Sequence, residues 1–153
     1  MDEKTALLRH TLATLAYRGG KALRGAPAGF AGYGARTPGE ILAHICDLFD
    51  WALRMADGRQ EWSASRPGAW DADMARLFAV LGAFDRRLES GAPLGVEPER
   101  LLQGPVADAL THIGQIAMLR RMAGCPIGGE SYFLADIQTG RVGAEQAAPV
   151  QEF

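Results

Sequence analysis

Most of the features that would point directly to a function are missing from this sequence. Its 153 residues include only two cysteines, Cys46 and Cys125, and neither belongs to a CxxC pair. A disulfide framework and a cysteine-rich zinc cluster are therefore both excluded. No apolar run approaches the roughly 18 residues that a membrane-spanning helix requires. The opening MDEKTALLRH is acidic at once and lacks the apolar stretch of a signal peptide, so a cytoplasmic protein with no membrane partner is expected. An excess of one charge is lacking as well: 16 Lys and Arg stand against 18 Asp and Glu. The basic residues form no stripe and no aromatic ladder, which argues against a nucleic-acid partner. Convincing strand alternation is absent throughout. Histidine is scarce, with three in all, and that gives the position of each one weight.

What is present is helical periodicity, in four segments. The first runs from about Asp2 to Arg18, with Leu7, Leu8, Thr11, Leu12 and Leu15 as its apolar face and Gly19 and Gly20 as its stop. A glycine-rich connection over 21–36 follows, in which Phe30 and Tyr33 are expected to pin the chain to the core. The second helix has the clearest start: Thr37 as N-cap, Pro38 in the first helical position and Glu40 completing a capping box. Ile41, Leu42, Ile45, Leu48, Phe49 and Ala52 form its broad apolar face, which ends near Gly58. A polar connection over 59–69 leads to a third helix from about Asp71 to the Gly91/Pro93 stop, with Gly82 marking a possible close contact. The fourth starts between Pro98 and Pro105 and is firm from Val106 to Met122. Four amphipathic helices without a strand to pack on predict an all-α four-helix bundle over residues 1–126. Residues 127–153 are expected to be a tail packing on the bundle or on a partner subunit.

Two of the three histidines stand in telling places. Asp108 and His112 are four apart, so they project from one face of the fourth helix. His44 lies on the second helix, and a third ligand from a facing helix would complete a facial triad with open coordination positions. Two imidazoles and a carboxylate suit zinc, nickel, iron or manganese. Asp47, three residues after His44, is a candidate to orient the imidazole or replace it as ligand. Trp51 and Gln115 are candidates to line the pocket, and Arg120 to receive an anionic substrate group. The plainer readings stay open here: a solvent-facing ion pair for Asp108 and His112, and a hydrogen-bonded core histidine for His44. His10 reads as a packing or solvent residue. Cys46 is two residues from His44 and so does not face it, which argues against a Cys–His dyad.

The segment TPGEILAHICDLFDWALRMADG (37–58) resembles the second helix of the DinB/YfiT-like metalloenzyme superfamily. VADALTHIGQIAMLRRMAG (106–124) looks like its final bundle helix, with a histidine followed by x-Gly-Gln and a later Leu-Arg-Arg. The likeness extends over residues 2–126 as helix order, and its specific content lies in those two motifs. The resemblance implies a four-helix bundle, often dimeric, that holds a divalent metal through His44, Asp108 and His112, with Asp108 standing where many relatives have histidine and some glutamate. It also implies a thiol-dependent S-transferase acting on small electrophiles, using a low-molecular-weight thiol such as bacillithiol or mycothiol, with no protein cysteine as nucleophile. A metal-dependent hydrolase and a noncatalytic, homodimeric small-molecule binding protein are the alternatives.

Overall fold

A computed structural model describes every residue from Met1 to Phe153, and the fold is all-α. Helix α1 spans Glu3–Leu23, starting where the Asp2 carboxylate accepts the Thr5 N–H at 3.0 Å. It runs through Gly19 and Gly20 instead of stopping there. Glycine inside a helix costs about 1 kcal/mol relative to alanine, but packing favours it here. A Cβ on Gly19 would stand 3.0 Å from Ile113 Cδ1, so the bare backbone is a contact surface for another helix. Leu7 is 62% exposed and does not belong to the apolar face, which is carried by Leu8, Leu12, Leu15 and Leu23.

Helix α2, Pro38–Ala56, begins with the expected capping box. Thr37 N–H donates to Glu40 Oε2 at 2.8 Å, and Glu40 N–H donates to Thr37 Oγ1 at 3.2 Å. Helix α3 spans Trp70–Glu89. Gly82 within it makes no close helix contact, since a Cβ there would meet only the guanidinium end of Arg86. Helix α4 takes in both prolines that bracketed its expected start. It comprises a first turn Pro98–Leu101, a wide π segment Leu102–Val106 and the α-helical run Ala107–Met122. Pro105 has no N–H to donate and its ring crowds the preceding turn, which accounts for the widening.

In cross-section α2 neighbours α3 and α4, and α1 neighbours the same two, so α1 and α2 lie on one diagonal. That arrangement explains the long connection between them. Phe30 is buried within it, edge-on to Trp70 at 5.7 Å, and Tyr33 packs on the core as expected. A buried bidentate pair ties α1 to α3, with Arg9 donating to both Asp85 oxygens at 2.8 Å.

The segment after α4 lies against α1. Glu130 accepts from Tyr17 Oη and Lys21 Nζ, each at 2.7 Å, with its side chain out of water. Arg18 sits 4.0 Å above the Tyr132 ring. The chain then returns, so that Ser131 N–H donates to Gln151 O and Phe153 N–H to Gly129 O. The aromatic stretch divides: Tyr132 packs on the bundle, whereas Phe133 is 96% exposed. No helix is long and apolar enough to cross a membrane.

Candidate metal centre

Because α2 and α4 are neighbours, His44 is brought opposite Asp108 and His112. The α4 pair follows directly on the π segment, one turn apart. Asp108 places one oxygen toward each imidazole: Oδ2 lies 3.4 Å from His44 Nε2, and Oδ1 lies 3.4 Å from His112 Nε2. One donor atom from each residue falls within 4.8 Å of the others, and the imidazoles meet edge-to-face.

These separations can be tested against a cation. Ligands at about 2.1 Å from a tetrahedral zinc are about 3.4 Å from one another. Each imidazole stands at that distance from one Asp108 oxygen, His44 from Oδ2 and His112 from Oδ1. With one donor atom counted from each residue, all three separations are within 4.8 Å, the scale of a single ion's ligand shell. The tautomer fits as well. His112 Nδ1 lies 2.8 Å from the side-chain oxygen of Gln115, an acceptor, so a proton belongs on Nδ1 and Nε2 is the nitrogen that faces Asp108. A lone pair facing a carboxylate is unfavourable unless a proton or a cation stands between them. The donor set can therefore hold a divalent metal. The centre is half-open: side-chain exposure is 12% for His112, 29% for His44 and 47% for Asp108.

The other residues singled out in the sequence fall at varying distances from this centre. Gln115 is in place beside His112. Trp51 is partly buried and reaches the centre through Trp62: the two indoles meet edge-to-face at 5.7 Å, and Trp62 lies 5.7 Å from His44. Asp47 turns the other way, toward α3. It accepts Ser65 N–H and Ser65 Oγ, each at 2.8 Å, and Arg76 at 2.8 Å, and makes no bond to His44. Burial raises the affinity of that carboxyl for a proton, but the Ser65 and Arg76 bonds outweigh it and hold its pKa below the ordinary value. Arg120 is also elsewhere. It is buried and donates to the carbonyls of Ala22, Gly25 and Cys125, closing the end of α1, so it cannot also meet a substrate anion.

Cys46 is fully buried and donates to Asp73 O at 3.4 Å, and burial pushes its thiol up to about 12. It is no nucleophile. His10 is exposed, 3.5 Å from Thr139. Trp62 was not legible as a site residue, because it sits in an irregular connection where no helical spacing relates it to His44.

No protein-family model matches the chain, and neither a curated protein nor a solved structure matches it. What the fold and the cluster define is thus a class: an all-α four-helix bundle with a His–Asp–His group able to coordinate a metal.

Proposed function

We propose that this protein is a divalent-metal-dependent enzyme of the DinB-like kind, a thiol-dependent S-transferase acting on small electrophiles. The observation that carries the reading is the convergence of His44, Asp108 and His112 from two neighbouring helices, with His112 Nδ1 beside Gln115 Oε1 and Nε2 turned toward Asp108. These three residues would hold zinc, nickel, iron or manganese. Such a metal lowers the pKa of a bound thiol or water and so supplies a nucleophile at neutral pH.

The chain's own residues supply the rest. Gln115 orients His112, and Trp51 and Trp62 form an apolar wall on the His44 side. Asp108, nearly half exposed, marks the side from which a small molecule enters. The thiol comes from a low-molecular-weight cofactor such as bacillithiol or mycothiol. That choice is supported by the burial of Cys46, which leaves no nucleophilic thiol on the same helix turn. The same reading takes the protein as a cytoplasmic homodimer, with residues 1–126 forming the catalytic bundle and 127–153 a tail that packs on it. The exposed Met118 and Met122 on α4 are compatible with a subunit contact.

The test is elemental analysis of protein purified without an affinity tag, alongside His44→Ala, Asp108→Ala and His112→Ala. We expect about one metal ion per chain in the wild type and almost none in each variant, with helicity unchanged. Thiol-dependent consumption of 1-chloro-2,4-dinitrobenzene should then stop with a chelator and return with a single metal. Wild-type protein that takes up none of the four metals would rule the reading out.

A further inference from the structure

We propose that Trp62 is the specificity wall of this centre and favours ligands that carry a flat aromatic group next to their metal-binding head. The inference rests on the metal reading above. It begins with an oddity of the connection between α2 and α3. Residues 59–69 have no regular secondary structure and are exposed, so a large indole among them has no reason to occupy one place.

Yet the chain is tied down on both sides of Trp62. Before it, Arg54 donates to Glu61 O at 3.3 Å. After it, Ser65 gives two hydrogen bonds to the buried Asp47, and Arg76 donates to Ser65 Oγ at 2.9 Å. Both anchor points, Arg54 and Asp47, are on α2, the helix that carries His44. The clamp therefore sets the indole relative to the ligand itself. Asp47 is in this sense a positioning residue, acting on the centre through Ser65 and the chain between.

What the clamp holds is an aromatic face only partly covered. Trp62 packs at a tilt on the His44 ring and edge-to-face with Trp51, and remains 46% exposed. His44 is bracketed by Asp108 at its Nε2 and by Trp62 at its ring. A ligand on a metal held by Nε2 would share His44 with the indole, whose ring centre lies 5.7 Å from that of the imidazole. A planar apolar group on that ligand would cover the remaining face and stack on it, whereas a methyl group would leave it wet. No cation stacks on either indole, so recognition at the ring face depends on shape and apolar contact.

The experiment compares benzohydroxamate with acetohydroxamate, which share a chelating head and differ in a phenyl against a methyl group. Binding of each to the zinc-loaded protein is measured by calorimetry for wild type, Trp62→Ala and Trp62→Phe, after zinc affinity has been measured for all three. We expect the wild type to prefer benzohydroxamate by about tenfold, Trp62→Ala to fall to about twofold, and Trp62→Phe to keep most of the preference. Zinc affinity should be the same in all three, since the indole is not a ligand. An undiminished preference in Trp62→Ala with zinc bound overturns the wall and leaves the metal centre standing. Absence of zinc uptake by the wild type overturns both.

Discussion

Gln115 and Asp47 make an instructive pair at the scale of single residues. Each follows a candidate ligand histidine by three positions, a spacing that puts both on the histidine's side of the helix. Only Gln115 reaches its imidazole, because it stays on the open side of α4 while Asp47 faces α3 and is claimed by Ser65 and Arg76. Spacing along one helix cannot reveal what the neighbouring helix offers. If Gln115 fixes the tautomer of His112, Gln115→Leu should weaken zinc binding by about 10- to 100-fold without loss of helicity. A competition titration against a zinc chelator measures this directly. Unchanged affinity would mean that the bond orients nothing.

At the scale of elements, the helices were readable where their signals are local. The Thr37–Glu40 box and the Pro38 start of α2 depend only on residues within one turn. The end of α1 was not readable, because Gly19 and Gly20 resemble a stop until Ile113 of α4 is seen filling the space that a side chain would need. A second backbone approach is tighter. Gly95 in the α3–α4 connection donates to Ala56 O at 2.9 Å, and a Cβ there would fall 2.2 Å from Gly58 N. Gly58 itself has φ 79°, so its backbone has little freedom to retreat. Gly95→Ala should therefore destabilise the fold by about 1–3 kcal/mol in urea unfolding, as overpacking does elsewhere. A stability within error of wild type would mean that the 90–97 connection lifts off α2 at little cost.

For the molecule as a whole, the clearest expected behaviour is acid sensitivity through Asp47. Its carboxyl is held below its ordinary value of 3.8 in the fold, so its contribution is complete above that value and is lost as pH falls through the lower folded value. The wild-type urea midpoint should drop on acidification below about pH 4, and Asp47→Asn should drop less steeply over the same range. Asp2, Glu99 and Asp136 are also held low by hydrogen bonds at the surface, but both proteins share them, so the difference isolates Asp47. Parallel curves would show that the carboxylate is not what ties the 59–69 segment to the bundle.

The sequence by itself determined the number and order of the helices and the start of α2, and it offered His44, Asp108 and His112 as candidate donors. All of these follow from periods and caps spanning one or two turns, or from the scarcity of histidine. Only the tertiary structure decided that α2 lies beside α4, which turns His44, Asp108 and His112 from three positions in a chain into donors within 4.8 Å. It also sent Arg120 to the end of α1, joined Glu130 to Tyr17 and Lys21, and laid Trp62 on His44. Each of these is a contact between residues far apart in the chain. Its partner is selected by how the helices pack, and no local pattern carries that information.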